Sequence, residues 1–142
     1  MKILFLCTGN SCRSQMAEGW ARHFMADTIE AYSAGVEKHG LNRLAVRVMA
    51  EAGVDISGHK SKLVSELPVQ QFDWVVILCS SAGKTCPYYP GKIIHGGFDD
   101  PAQLAAHAGS EEEALGQYRR VRDEIRAFIL TLPEIFRNRE KI

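Results

Sequence analysis

Apolar residues along the chain alternate between short unbroken runs and longer segments with helical spacing. Residues 2–6 (KILFL) form an apolar run that ends at a Gly/Asn/Ser turn, as a buried strand does. From Ser14 onward, apolar residues recur at helical spacing and predict a helix with one apolar face. The residues on this face are Met16, Ala17, Trp20, Ala21 and Phe24.

The next two segments repeat this order of strand and helix. Residues 28–33 predict a second strand, which Ala34 and Gly35 close. Residues 41–52 predict a second helix, and Gly53 stands where a helix C-terminal cap is expected. The apolar face of this helix consists of Leu41, Leu44, Ala45, Val48, Met49 and Ala52.

The second half of the chain predicts two more strands and a final helix. Residues 73–79 (DWVVILC) are an apolar run typical of a central parallel strand, and residues 92–95 offer a weaker strand. Ser110 followed by Glu113 is a capping box that opens the last helix. Its apolar face consists of Leu115, Tyr118, Val121, Ile125, Phe128 and Ile129.

Strands that alternate with helices predict one α/β domain over residues 1–142, an open four-stranded parallel sheet with helices on both faces. In such sheets the active site lies beyond the carboxyl ends of the strands, near a switch in strand order. Cys7 follows the first strand and Cys79 ends the third, so we expect both cysteines at this edge.

Composition narrows the class of protein. The chain has 142 residues, 46% of them hydrophobic, and 17 basic residues balance 17 acidic ones, so nothing indicates nucleic acid or an anionic membrane as a partner. The first residues do not resemble a signal peptide, and no apolar run approaches the roughly 20 residues of a membrane span. We therefore expect a cytoplasmic protein, and a monomer.

The four cysteines are Cys7, Cys12, Cys79 and Cys86. In a reducing cytosol, cysteines are more often catalytic, redox-active or metal-binding than bridged. The sequence contains no CxxC pair, and the five histidines do not lie near the cysteines at ligand spacing. We therefore expect no metal site.

The strongest motif is a Cys-x5-Arg loop between the first strand and the first helix. A loop that leads into a helix points backbone N–H groups inward, and the helix dipole adds positive potential. Arg13 supplies a planar fork for two oxyanion oxygens, and the same field favours the thiolate of Cys7, to which Ser14 can donate. The predicted oxyanion-binding residues are Thr8, Gly9, Asn10, Ser11, Cys12, Arg13 and Ser14. The alternative is a buried thiol at the end of a strand, followed by an ordinary turn.

The run CTGNSCRSQMAEGW, with YSAG at 32–35, GFDDPA at 97–102 and YRRVRDEI at 118–125, resembles the low-molecular-weight protein tyrosine phosphatase fold family. More narrowly, it resembles the thioredoxin-coupled arsenate reductases built on that fold. The resemblance implies that Cys7 attacks arsenate, that Cys79 then attacks Cys7 and releases arsenite, and that Cys86 attacks Cys79. It also implies that thioredoxin, or a glutaredoxin-type donor, reduces the final disulfide, so that no other cofactor is needed.

Two alternatives to this relay stay open. Cys79 and Cys86, seven residues apart, are also compatible with buried structural cysteines, since free cysteine is often buried. A phosphotyrosine phosphatase needs only Cys7, Arg13 and a general acid. By resemblance that acid is Asp100, although Asp-Asp-Pro is also ordinary turn chemistry.

The sequence also supports predictions about Cys12 and Lys62. Cys12 lies inside the loop. Because the relay uses only Cys7, Cys79 and Cys86, we expect Cys12 to be dispensable for turnover. Family members that hold a structural potassium ion use residues matching Asn10, Glu18 and Ser33 together with an aspartate, but Lys62 stands at the aspartate position here. The resemblance therefore argues against a potassium site.

Overall fold

The computed structural model describes residues 1–79 and 91–140 as one α/β domain. The strands are β1 (Lys2–Cys7), β2 (Glu30–Gly35), β3 (Trp74–Cys79) and β4 (Ile93–Phe98). The helices are α1 (Arg13–Met25), α2 (Arg43–Glu51), α3 (Pro101–Ala105) and α4 (Glu111–Glu140), with a short 3-10 turn at Val64–Glu66. None of these helices is both long and apolar enough to cross a membrane.

The four strands form one parallel sheet in the order β2-β1-β3-β4, which confirms the predicted class of fold. The chain leaves β1 for β2 on one side and returns to β3 on the other side. The carboxyl end of β1 is therefore the point where the strand order switches. Leu6 pairs with Ile77 across β1 and β3, so Cys7 and Cys79 end two neighbouring strands at the same edge.

Both faces of the central strands are covered. Successive side chains of a strand point to opposite faces, yet every residue from Ile3 to Leu6 is at most 1% exposed. Helices α1 and α4 pack together, and the indole Nε1 of Trp20 donates to the carbonyl of Arg122 at 3.1 Å. The predicted α1 face is correct except at Phe24, which stacks on Trp20 but stays 37% exposed.

The predicted boundaries of the second strand and second helix were wrong by a few residues. Strand β2 includes Ala34 and Gly35, which were expected to close it. It begins at Glu30 rather than at residue 28, because the N–H groups of Thr28 and Ile29 both donate to the Met25 carbonyl and stay in the turn after α1. Helix α2 spans Arg43–Glu51, shorter than the predicted 41–52, and Gly53 follows it with φ +86°, as the cap prediction requires.

Strand β4 runs three residues beyond the predicted 92–95. Ile77 pairs with His95 and Cys79 with Phe98, so β4 contains one more residue than β3 between these two pairs. This is a β-bulge, and Gly97 adopts φ +72° within it. The bulge lets the strand continue to Phe98, whose carbonyl contributes to the candidate site.

The capping box of the last helix is confirmed in part. The hydroxyl of Ser110 accepts from the N–H of Glu113 at 3.2 Å, but the Glu113 carboxylate accepts from Gly109 rather than from Ser110. Helix α4 then continues to Glu140 through Pro133. Its buried face extends past the predicted residues to Leu132 and Phe136, and the ring of Phe136 stacks on Trp74 at 5.2 Å.

Candidate active site

The backbone carbonyl groups of the loop between β1 and α1 accept hydrogen bonds from residues outside the loop. Four successive carbonyls, from residues 8 to 11, accept hydrogen bonds from three other segments of the chain. The donors are the N–H groups of Glu37, His39 and Asn42, the hydroxyl of Ser61 and the side-chain amide of Gln15, all at 2.8–3.2 Å. In a trans peptide the C=O and N–H point in opposite directions, so these bonds turn the following N–H groups toward the inside of the loop.

Two residues give the loop its tight curvature. Asn10 adopts the left-handed conformation, with φ +48°, and it is fully buried. Gly9 is needed for space instead, because a Cβ at this position would overlap the imidazole of His39. The loop then enters α1 at Arg13, so the helix N-terminus adds its partial positive charge to the inward N–H groups.

The thiol of Cys7 is buried at the end of β1 and lies 2.9 Å from the hydroxyl of Ser14. The amide Nδ2 of Asn10 donates to the same hydroxyl at 2.8 Å. Because Ser14 accepts from Asn10, its own proton is available for Cys7. The structure thus places the Ser14 hydroxyl where it can donate to the sulfur of Cys7, and the thiolate form of Cys7 stays a prediction.

The orientation of the Asn10 side chain is determined by groups outside the loop. Its Oδ1 accepts from Gln15 Nε2 at 3.0 Å and from the backbone N–H of Lys62 at 2.8 Å, so Nδ2 must face Ser14. Gln15 also donates to the carbonyl of Lys60 at 2.9 Å, and its Oε1 lies 3.0 Å from His59 Nδ1. A continuous chain of hydrogen bonds therefore links His59 to Cys7.

Arg13 is held at the edge of the loop by the last residue of β4 and by the segment that follows it. Its Nη1 donates to the carbonyl of Phe98 at 3.1 Å, and its Nη2 lies 3.8 Å from Asp100 Oδ2. The other oxygen of Asp100 accepts from the N–H of Ala102 at 3.0 Å and caps α3. The position of Asp100 thus fits both sequence interpretations: its side chain stabilises the turn after β4, and its carboxyl group lies beside Arg13.

Cys79 lies at the same edge, at the end of β3. Its sulfur is 3.8 Å from the hydroxyl of Thr8, the residue directly after Cys7, and its side chain is buried. The expectation that Cys7 and Cys79 reach the same edge is confirmed. Cys86 lies outside the described residues.

Cys12 is buried where the loop enters α1. Burial raises the pKa of its thiol well above the usual value, and the neighbouring Cys7 and Asp100 add to this effect, whereas Arg13 opposes it. The thiol of Cys12 is therefore neutral at physiological pH. It also provides no side-chain cap for α1.

A cluster of charges lies beneath the loop around Glu18. The carboxylate accepts from Ser33 Oγ at 2.6 Å and from Arg22 Nε at 2.8 Å, and His59 Nε2 lies 3.7 Å away. Burial lowers the pKa of His59, although Glu18 opposes the shift. Within residues 1–79 and 91–140, no three His, Cys, Asp or Glu side chains are grouped as metal ligands.

Lys62, the residue on which the sequence argued against a potassium site, belongs to this cluster. Its ammonium donates to the carbonyl of Lys60 at 2.8 Å. Burial lowers the pKa of Lys62, and the nearby Glu18 carboxylate opposes this shift. The negative charge of the Glu18 carboxylate is thus balanced by the cationic side chains of Arg22 and Lys62.

The sequence predicted no support role for Gln15, Ser61 or Tyr118. Gln15 contacts Asn10 from the first turn of α1, Ser61 contacts Gly9 across 52 residues, and Tyr118 contacts Asn42 across 76 residues. Asn42 alone had a local signal, because asparagine directly before a helix is a favoured N-cap. Its side-chain oxygen indeed accepts from Leu44 and Ala45 at the start of α2.

Comparison with known proteins agrees with this geometry. The family model for low molecular weight phosphotyrosine protein phosphatase matches residues 2–135. The chain therefore belongs to this family, as the cysteine-arginine loop on a parallel sheet suggests.

Within the family, the chain is similar to arsenate reductases. It is 48% identical over 134 residues to the arsenate reductase of Halalkalibacterium halodurans, covering 93% of this chain and 94% of that one. It is 50% identical over 125 residues to the arsenate reductase of Bacillus subtilis, covering 87% and 88%. The resemblance inferred from the motifs is confirmed.

Solved structures show the same relationship. An arsenate reductase in the phosphate binding state superposes with a TM-score of 0.76 at 31% identity, over 92% of this chain and 95% of that one. A low molecular weight protein tyrosine phosphatase from T. tengcongensis has a TM-score of 0.71 at 30% identity, over 94% and 98%.

Proposed function

We propose that this protein reduces arsenate to arsenite with Cys7 as nucleophile and with Cys79 and Cys86 as the thiols that supply and pass on the electrons. The observation that carries the proposal is the position of Cys79 at the mouth of the loop, 3.8 Å from Thr8 Oγ1. Phosphate-ester hydrolysis does not need a second thiol at this edge. The similarity to arsenate reductases over most of the chain supports the same conclusion.

The first step places a tetrahedral oxyanion in the loop. The inward N–H groups and the helix dipole bind its charge, and Arg13, held by Phe98, offers a planar fork. The Cys7 thiolate attacks arsenic and forms a sulfur–arsenic bond. One oxygen leaves as water, and Asp100 supplies the proton.

The second step transfers the electrons. The Cys79 thiolate attacks the sulfur of Cys7, a disulfide forms, and the electron pair of the sulfur–arsenic bond stays with arsenic. Arsenic(V) becomes arsenic(III), which leaves as arsenite, and two thiols become one disulfide. Cys86 then attacks Cys79, which releases Cys7 as a thiolate and leaves a Cys79–Cys86 disulfide for thioredoxin, or a glutaredoxin-type donor, to reduce.

Phosphatase activity is the second candidate function. The loop, Arg13 and Asp100 provide a nucleophile, an oxyanion clamp and an acid, which is all that ester hydrolysis requires. The family model that matches the chain is also that of a phosphatase.

One assay separates the two functions. Arsenate-dependent oxidation of NADPH is measured with thioredoxin and thioredoxin reductase for wild type, Cys79→Ser, Cys86→Ser and Cys12→Ser, alongside hydrolysis of an aryl phosphate. We expect wild type and Cys12→Ser to turn over arsenate repeatedly, and the other two variants to stop. Full multiple turnover by Cys86→Ser would refute the three-cysteine relay. Brisk aryl phosphate hydrolysis without arsenate turnover in wild type would establish the phosphatase instead.

A further inference from the structure

The peptide between Ser11 and Cys12 is held in place from outside the loop. The backbone N–H of Asn42 donates to the carbonyl of Ser11 at 3.0 Å. Because this peptide is trans, the N–H of Cys12 points away from Asn42, toward the inside of the loop. The direction of an inward donor therefore depends on where Asn42 lies.

Asn42 is fixed by both ends of its side-chain amide. The oxygen Oδ1 accepts from the N–H groups of Leu44 at 2.9 Å and Ala45 at 3.1 Å, as the N-cap of α2. The nitrogen Nδ2 donates to the hydroxyl of Tyr118 at 2.9 Å. One residue thus connects the oxyanion loop, the start of α2 and the side of α4.

Tyr118 is well suited to hold this amide. Its side chain is only 2% exposed, on the same buried stripe of α4 as Val121 and Ile125, so its ring has a rigid support. Burial, and then the nearby Cys12 thiol, raise the pKa of Tyr118 to about 12. The hydroxyl therefore stays protonated at physiological pH and accepts from Asn42 as a neutral group.

We propose that Tyr118 is a positioning residue for the oxyanion loop, acting through Asn42 to orient the Ser11–Cys12 peptide. The inference rests on the proposed function in one respect, that the loop binds a tetrahedral oxyanion. Tyr118 acts through Asn42 rather than on the anion itself. Its removal therefore weakens anion binding and leaves the bond between Ser14 and Cys7 intact.

The test measures the Kd of inorganic phosphate for the reduced, full-length protein by titration calorimetry. Tyr118→Phe removes only the hydroxyl, and Asn42→Ser keeps a residue that caps α2 but removes the donor to Tyr118. We expect each variant to raise the Kd about fivefold, the scale of one lost hydrogen bond. The double variant should also be about fivefold weaker, because both changes break the same contact. Independent effects would multiply to about 25-fold.

Two controls distinguish positioning from general loosening of the fold. Tyr32→Phe removes a hydroxyl that donates to Glu30 at 3.1 Å and does not contact the loop. This variant should therefore leave the Kd unchanged. The rate of Cys7 alkylation by iodoacetamide, measured without phosphate at several pH values, should be the same in wild type and Tyr118→Phe.

Three results would overturn the inference. An unchanged Kd in both single variants, a multiplicative double variant, or an altered alkylation profile of Cys7 would each show that Tyr118 does not act as described. If wild type itself fails to bind phosphate, the proposed function falls first and the role of Tyr118 falls with it.

Discussion

The hydroxyl of Thr8 lies 3.8 Å from the sulfur of Cys79 and bridges the end of β1 to the end of β3. In the proposed relay, this contact holds the Cys79 side chain at the edge of the loop where Cys7 lies. Thr8→Val, which keeps the shape and removes the hydroxyl, should lower kcat for arsenate about threefold to tenfold, because the contact is long for a hydrogen bond. Steady-state kinetics check this value.

Thr8→Ser is the matched control, since it retains the hydroxyl and should keep most of the wild-type kcat. The Kd of phosphate should stay near the wild-type value in both variants, because the backbone of Thr8 is held by Glu37. Equal losses in Thr8→Val and Thr8→Ser would show that the hydroxyl has no part in the relay.

Asp100 caps α3 and is the proposed proton donor, and substitution can separate these two roles. Asparagine caps a helix as well as aspartate but cannot release a proton, so Asp100→Asn should retain the melting temperature and lose about 100-fold in kcat. Asp100→Ala should lose the same activity and also about 1 kcal/mol of stability, through the lost cap. Thermal unfolding and arsenate turnover are measured on the same samples. Wild-type kcat in Asp100→Asn would leave Asp100 only its role as a cap.

Arg13 should not tolerate lysine. An ammonium cannot reproduce the planar fork that bonds the Phe98 carbonyl and also faces Asp100. Arg13→Lys should therefore weaken phosphate binding by about tenfold or more, although the charge is conserved. Calorimetric titration gives the Kd, and circular dichroism verifies the fold. Binding as tight as that of wild type would mean that charge alone is sufficient.

Gln15 should contribute to the stability of the fold as well as to the geometry of the candidate site. Gln15→Leu fits the buried volume but leaves the Asn10 oxygen with one donor fewer. It also removes one of the donors to the Lys60 carbonyl and the contact of His59 Nδ1. We expect a loss of about 2 kcal/mol in urea unfolding, together with slower alkylation of Cys7, because Asn10 no longer holds Ser14 in place. Gln103→Leu, at an exposed position of α3, serves as the comparison. A Gln15→Leu variant as stable as this control would contradict the prediction.

His59 should make stability depend on pH. Its pKa in the folded protein is lowered from 6.5 by burial, so the unfolded chain binds more protons in the window below that value. Stability is therefore retained above about pH 7 and decreases as the pH falls through 6.5 toward the lower folded pKa. His59→Gln should lose less stability than wild type between these limits. Urea midpoints at several pH values test the difference, and parallel pH curves would exclude His59 as the cause.

Much of this site was predictable because its chemistry is local. Cys7, Arg13 and Ser14 lie within eight residues of one another, and the strand-loop-helix pattern around them already defines an oxyanion loop. The parallel sheet then brings Cys79 to the same edge through ordinary strand pairing. These relationships depend on sequence spacing and on a common fold rule, so they can be inferred without coordinates.

The supports of the site could not be predicted in the same way. Phe98 acts through its backbone carbonyl, so its residue type gives no indication of this role. The carbonyl reaches Arg13 only because the bulge at Gly97 lengthens β4. Tyr118 looked like one more apolar position on the last helix, and its hydroxyl meets Asn42 from 76 residues away. Such contacts depend on the packing of whole elements rather than on a local pattern.

The outward bonding of the loop carbonyls has a consequence for selectivity. Hydrogen bonds from Glu37, His39, Asn42 and Ser61 hold the shape of this loop. In the proposed function the loop binds an oxyanion by its shape and charge, so phosphate, which has the same tetrahedral form as arsenate, should compete for it. Discrimination between the two would then come after binding, at the proposed step where Cys79 attacks the sulfur of Cys7 and the central atom must accept two electrons, which arsenic does and phosphorus does not.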